Sequence, residues 1–181
     1  MFKYFPTNYV WNLSVDLAIE MGARIGEIEA MCAPLQEAAR QPDAAGTQAF
    51  RETWVRMVDK LCSLAEEDEA RGRLISAGAK YNRAAVYYVT AERLQAHGAE
   101  GRLDLYRRFL EVFARGIDLS GENCERVEIP YGDNHLAGLY VPAKDVTGPA
   151  PLLVQINGLD SMKEMLYRVG RPHWLAERGV S

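Results

Sequence analysis

Apolar residues recur at spacings of three and four from about Trp11 to Asp118, which is the period of an α-helix. Small residues and tyrosines alternate along one of these segments, but no second copy follows at a period of about 34 residues, so we expect a helical bundle and not a solenoid. A turn is predicted at residues 41–46. The first predicted helix begins near Asn12 or Ser14 and runs to Met21. The other predicted helices are residues 25–40 with a kink or break at Pro34, 47–71, 74–95 and 102–117.

The pattern changes after a polar segment at residues 118–123, and strands are predicted from there on. Two short alternating runs around a Tyr-Gly-Asp-Asn turn predict an antiparallel hairpin. The next apolar run is nearly continuous, as in a strand buried on both faces, and a helix in two pieces around Pro172 follows it to about residue 178. This predicts a helical domain at 1–120 and a second domain at 121–181. Its strands are expected at 126–130, 135–141 and 151–156.

Composition narrows the class of protein. The chain has 48% apolar and 25% charged residues and a net charge of −4, which is ordinary for a globular protein and offers no basic half for nucleic acid. Three widely spaced cysteines encode neither a disulfide framework nor a zinc site, and no apolar run reaches the roughly 20 residues of a membrane helix. The N-terminus lacks the apolar core of a signal peptide. We therefore expect a cytoplasmic protein without metal, cofactor, nucleic acid or membrane.

The best candidate site lies at the end of the predicted buried strand, at Asn157-Gly158-Leu159-Asp160-Ser161. Ligands of open α/β sheets bind at the carboxyl ends of strands. Gly158 allows the backbone close to a ligand, and the N–H groups of Leu159 and Asp160 are then available to a developing oxyanion. A simpler interpretation is a strand–helix turn, with Asp160 or Ser161 as N-cap and Glu164 closing a capping box. Both interpretations can hold together.

Two further groups of residues, three histidines and a set of aromatic side chains, are candidates for a catalytic or binding role. His97, His135 and His173 have no Gly-x-Ser-x-Gly nucleophile to serve, so they are predicted to be structural or surface residues. Tyr81, Tyr87 and Tyr88 lie with Arg83 and Trp54 at helical spacing, which predicts core packing. The alternative is that Tyr87 and Tyr88 form the wall of a pocket for an aromatic or polyketide-like substrate.

Residues 127–179 resemble the opening of the α/β-hydrolase fold. The branch is the one that contains 2,6-dihydroxypseudooxynicotine hydrolase, the polyketide-shortening heptaketide hydrolase and the fermentation-respiration switch protein. The motifs that carry the resemblance are the hairpin, the strand at 151–156, Gly-Leu-Asp-Ser-x-Lys-Glu at 158–164, Leu-Ala-Glu-Arg-Gly at 175–179 and, more weakly, Tyr-Asn-Arg-Ala-Ala-Val-Tyr-Tyr at 81–88.

The resemblance implies an α/β fold class, with an N-terminal helical cap domain followed by the first strands of a hydrolase sheet. It assigns the Leu159 N–H, presented by Gly158, as one oxyanion donor. Asn157 stands where relatives often have glycine, and its side chain either crowds the strand end or donates an amide to the site. Asn157 and Asp160 are therefore candidate substrate-binding residues.

In this family the serine, the acid and the histidine of the triad come from later strands, which implies that they follow Ser181. The expected partners are the C-terminal remainder of the same hydrolase and a small-molecule carbonyl substrate, either an ester or a ketone-adjacent C–C bond. Relatives with helical caps often dimerise, so a homodimer is a further expectation. The alternative function is a non-catalytic helical interaction module with a degenerate hydrolase fragment.

Overall fold

The computed structural model describes residues 3–41 and 43–181, without the side chains of residues 43–46. The chain divides into two compact units, Met1–Gly121 and Glu122–Ser181. This division falls one residue from the boundary predicted at 120.

The first unit is helical. Asn8 caps its first helix by accepting a hydrogen bond from the Trp11 N–H, so that helix begins three residues before Asn12, the earlier of the two predicted starts. Pro34 lies in a 3₁₀ turn at Ala33–Leu35, so the predicted second helix is broken there and continues only as another 3₁₀ turn at Ala38–Arg40. The helices are α1 (Tyr9–Glu20), α2 (Ile25–Cys32), α3 (Asp43–Ala70), α4 (Leu74–Arg93) and α5 (Arg102–Ser120).

The turn predicted at 41–46 is wrong over residues 43–46, because α3 already begins at Asp43. An acidic residue suits the first turn of a helix, and the alanines after it are strong helix formers, so the local sequence extends α3 backwards. Pro42, which is part of the same predicted turn, lies outside the described residues.

A chain of aromatic rings forms the core of the helical unit. The ring centroids of Trp11 and Phe50 are 4.9 Å apart, those of Phe50 and Trp54 4.9 Å, and those of Trp54 and Tyr87 5.6 Å. All four side chains are buried. Aromatic pairs at this spacing stabilise a core beyond their burial alone. The chain of rings joins α1, α3 and α4.

Helices α4 and α5 approach each other closely at two glycines. A Cβ atom at Gly116 would lie 2.0 Å from Asn82 Oδ1 and 3.0 Å from the Asn82 backbone nitrogen, and one at Gly78 would lie 2.8 Å from the backbone nitrogen of Ser120. Both contacts include main-chain atoms, which cannot rotate away. The glycines therefore set the distance between the two helices.

Gly116→Ala is expected to lower the free energy of unfolding by about 1–3 kcal/mol, the usual cost of overpacking. Gly26→Ala in α2 is the matched control, because an added Cβ there meets no atom within 4 Å and removes only backbone freedom. Urea denaturation of the two variants measures the difference. Equal stability of the two would show that α4 and α5 can separate without cost.

Asp68 links α3 to α4. Its carboxylate accepts hydrogen bonds from Lys80 Nζ and Ser76 Oγ, and Arg73 lies 3.6 Å away. The bonds from Lys80 and Ser76, with the charge of Lys80 and Arg73, hold the pKa of Asp68 at about 2, below its ordinary 3.8. A carboxylate with a lowered pKa stabilises the fold above its ordinary pKa and loses that contribution as the pH falls through the lowered value.

Asp68→Asn is therefore expected to reduce the stability at pH 7 and to flatten the loss of stability between about pH 4 and pH 2. Thermal unfolding followed over this pH range tests the expectation. Asp104→Asn is the control, since that carboxylate pairs with Arg107 on the open surface, where ion pairs contribute little. An unchanged acid profile in Asp68→Asn would contradict the assignment.

The second unit contains the predicted hairpin. Strands β1 (Glu125–Tyr131) and β2 (Asn134–Tyr140) pair antiparallel with Ile129 opposite Leu136, and Gly132 in the connecting turn has a φ of +56°. Two short helices follow, α6 (Lys163–Arg168) and α7 (Arg171–Ala176). The break between them lies at Gly170, whose φ is +88°, and Pro172 falls in the first turn of α7, where proline is well tolerated.

The strand predicted at 151–156 is wrong for this chain as it stands. Within the described part of the chain these residues belong to no strand, and all six are exposed, with Val154 at 76% and Ile156 at 87%. The Leu153 N–H donates to the Ser181 carbonyl and the Ser181 N–H to the Pro151 carbonyl, each at 2.9 Å. These two hydrogen bonds have the pattern of a parallel ladder. Ser181 is therefore a parallel neighbour at one position, but the two faces of residues 151–156 stay uncovered.

Candidate functional site

The loop at residues 157–162 connects the exposed apolar segment to α6. Leu159 is 100% exposed, and among the described residues no atom accepts a hydrogen bond from its N–H. A Cβ atom at Gly158 would meet nothing within 4 Å. The loop therefore offers an open main-chain donor beside an open glycine, and such a donor can form one hydrogen bond to an anionic oxygen.

Side chains of the loop bond to its own backbone. Asn157 Nδ2 donates to the Ser161 carbonyl at 2.8 Å and to the Gly158 carbonyl at 3.2 Å. The Ser161 N–H and Oγ also reach the Gly158 carbonyl, at 3.5 and 3.4 Å. Asp160 is exposed. Of the predicted site residues, Asn157, Gly158, Leu159 and Asp160 thus lie together in this one loop.

The predicted capping box at α6 is wrong. Met162 is the N-cap residue of α6 and makes no side-chain cap bond, so neither Asp160 nor Ser161 has that role. Glu164 is buried, and its Oε1 lies 2.7 Å from Lys163 Nζ, while its Oε2 has no hydrogen-bond partner within the described residues. The carboxylate is directed inward and paired with lysine, which prevents it from returning to the N-cap backbone.

Glu122 anchors α6 from the start of the second unit. Its carboxylate accepts a hydrogen bond from the Tyr167 hydroxyl at 2.7 Å and two from Arg168 Nη1 at 3.1 and 3.2 Å. Burial and the adjacent Glu122 raise the pKa of Tyr167 far above its ordinary value. This contact spans 45 residues of sequence, and no local pattern at Glu122 signals it.

The three histidines lie apart from the loop in the sequence and in three different settings. His97 and His135 are exposed, the first in the turn before α5 and the second on β2. His173 packs its ring 4.6 Å from that of Tyr167, and burial lowers its pKa. Among the residues that the structure describes, no group of three His, Cys, Asp or Glu side chains is placed to hold a metal ion.

Tyr87 and Tyr88 lie in the core of the helical unit. The Tyr87 hydroxyl donates to Glu27 at 2.5 Å and accepts from the Arg24 N–H at 3.1 Å, and Arg83 forms an ion pair with the same glutamate. Burial and the bond to Glu27 raise the pKa of Tyr87. This burial favours the core interpretation of the tyrosines over a pocket wall, and their role toward a substrate stays a prediction.

The helical unit has an open groove of about 1120 Å³ elsewhere, between α3, the end of α4 and α5. The groove is lined by side chains of both charges, Arg51, Arg108, Glu52 and Asp104.

In the described ranges 3–41 and 43–181, no helix is both long and apolar enough to cross a membrane.

The fold identifies the class of protein. The crystal structure of 2,6-dihydroxy-pseudo-oxynicotine hydrolase superposes on 91% of this chain with a TM-score of 0.67 at 21% identity, and the match covers 42% of that structure. The second unit thus corresponds to part of an α/β-hydrolase, and the fold class predicted from the sequence, a helical domain followed by the first strands of a hydrolase sheet, is confirmed.

Sequence comparison identifies the branch. The chain is 32% identical to hydrolase LUC6 of a Fusarium species over 94% of its residues, 32% identical to hydrolyase poxO of Penicillium oxalicum over 67%, and 33% identical to 20-hydroxy-prefusarin hydrolase FUS2 of Gibberella moniliformis over 82%. It belongs to this α/β-hydrolase branch. No family model matches the chain. The chain spans 41%, 30% and 35% of the lengths of these relatives.

Proposed function

We propose that this chain is part of a serine hydrolase and that it supplies the helical cap and one donor of the oxyanion hole. The observation that carries the proposal is the exposed N–H of Leu159, which has no acceptor among the described residues and follows a glycine with open space around it. The hydrolase names of the relatives support the same chemistry.

In the proposed reaction a serine hydroxyl attacks the carbonyl carbon of the substrate and passes its proton to a histidine. The π electrons of the carbonyl move to its oxygen, which becomes an oxyanion as the C–O bond to serine forms. The Leu159 N–H donates a hydrogen bond to that oxygen more strongly than to the neutral carbonyl, so it lowers the barrier. The serine, the histidine and the acid of the triad belong, in this proposal, to sequence after Ser181.

The proposed partner of this chain is the remainder of the same hydrolase. Residues 151–156 present apolar side chains to solvent, and Ser181 already makes the hydrogen bonds of a parallel neighbour to them. An exposed apolar strand edge is a liability that a folded protein covers. The buried Glu164 Oε2, which lacks a partner in the described residues, likewise fits a donor supplied by further chain.

The proposed substrate is a small carbonyl compound, cleaved at an ester or at a C–C bond next to a ketone. Two similar proteins are named hydrolases of 20-hydroxy-prefusarin and of 2,6-dihydroxy-pseudo-oxynicotine, which supports an aromatic or polyketide-like molecule. The three cysteines, all free in the structure, fit a reducing cytoplasmic setting.

A fluorophosphonate probe tests the proposal, because it reacts with an activated serine by displacing fluoride. The protein extended to the length of its relatives is expected to label once per chain, and heat-denatured protein is the control. A native, folded protein that does not label would favour the non-catalytic interaction module and overturn the hydrolase proposal.

A further inference from the structure

Asn157 directs its side-chain amide into its own loop. Both hydrogens of Nδ2 are used, one on the Ser161 carbonyl at 2.8 Å and one on the Gly158 carbonyl at 3.2 Å. An amide with both hydrogens bonded to main-chain carbonyls has none left to donate to a substrate. The amide hydrogens therefore act on the loop and not on a substrate.

The Gly158 carbonyl and the Leu159 N–H belong to the same peptide group. The structure contains no cis peptide bond among its described residues, so the group is trans and planar, and its C=O and N–H point in opposite directions. Asn157 holds the carbonyl toward the interior of the loop, with weaker support from the Ser161 N–H. Holding the carbonyl inward fixes the Leu159 N–H outward, toward the open side of the loop.

We infer that Asn157 is a positioning residue, whose amide fixes the peptide between Gly158 and Leu159 so that the Leu159 N–H is aimed at the oxyanion. The inference rests on the proposed hydrolase function. It assigns to Asn157 a role toward the transition state that does not involve contact with the substrate. The geometry that the donor needs is then present before the substrate binds, which is how an oxyanion hole acts at no cost of reorganisation.

Two substitutions in the full-length hydrolase separate this role from a structural one. Asn157→Ala removes both bonds, and Asn157→Asp places an acceptor against two carbonyl oxygens, so the peptide is expected to turn in the second variant more than in the first. With p-nitrophenyl acetate, kcat is expected to fall about 10-fold in Asn157→Ala and further in Asn157→Asp, with KM within about 2-fold of wild type. The rate of fluorophosphonate labelling is expected to fall in parallel.

Asn123→Ala is the matched control, since it removes an asparagine amide bond to the Pro142 carbonyl in the same unit and leaves the loop untouched. In the 181-residue chain, where the loop is exposed, both Asn157 variants are expected to keep the melting temperature of wild type. Labelling of both Asn157 variants at the wild-type rate would overturn the inference and leave the hydrolase proposal standing. A raised KM with unchanged kcat would overturn it in favour of direct substrate contact. Failure of the wild type itself to label would instead remove the hydrolase proposal.

Discussion

Gly158→Val is expected to lower kcat of the full-length hydrolase about 100-fold and to leave the melting temperature of the 181-residue chain unchanged. The stability is expected to survive because a Cβ at residue 158 meets no atom of this chain within 4 Å. The turnover is expected to fall because the valine methyl groups occupy the space through which a substrate oxygen reaches the Leu159 N–H. Loss of one oxyanion donor typically costs a factor of 10² to 10³ in kcat, or about 3–4 kcal/mol.

The size of the side chain provides the internal control for this prediction. Gly158→Ala adds one methyl group and is expected to give a smaller loss of kcat than valine, with the same melting temperature. Thr147→Val, on an exposed loop of the same unit, controls for the addition of apolar surface. Steady-state kinetics with p-nitrophenyl acetate measures all three. A Gly158→Val enzyme with wild-type kcat would mean that the oxyanion binds elsewhere.

The helices were predictable because the spacing of apolar residues that defines them lies within each segment of the sequence. The aromatic residues Phe50 and Trp54 repeat at helical spacing on the face that packs. The break predicted around Pro172 lies two residues earlier, at Gly170, whose φ of +88° ends α6 and begins α7. Errors arose where a second signal competed with the pattern. The proline and glycine of residues 41–46 indicated a turn, while the acidic first turn at Asp43 and the helix propensity of the alanines after it prevailed.

The loop at residues 157–162 was predictable in its location and not in its internal contacts, and its role in a site stays a prediction. The position of Leu159 followed from the end of an apolar run and from the hydrolase resemblance. The bonds of Asn157 to two carbonyls depend on how the loop closes, and the anchoring of Tyr167 by Glu122 joins residues 45 apart. Neither periodicity nor composition encodes such contacts, since any of several acidic residues satisfies the same pattern.

Residues 151–156 show most clearly the difference between a local sequence pattern and the contacts that bury a strand. The apolar run predicts a strand that is covered on both faces. In the 181-residue chain these residues are exposed, and Ser181 is their one parallel neighbour among the described residues. Val154→Lys is therefore expected to act in opposite directions in two contexts. In the 181-residue chain it adds charge to an exposed apolar segment and is expected to raise solubility. In the full-length hydrolase it is expected to prevent folding.

The full-length Val154→Lys protein is expected not to fold because a buried cation is much less stable than an exposed one. A lysine in the middle of a covered sheet loses the hydration of its ammonium group, at a cost of several kcal/mol, and the valine burial of about 1.5–3 kcal/mol is lost as well. Together these losses approach the whole stability of an ordinary domain. Soluble yield and circular dichroism of both chain lengths measure the effect, with Thr147→Lys as the exposed control. A folded full-length Val154→Lys protein would show that this segment stays on the surface, and the proposed completion of the sheet by later sequence would then be wrong.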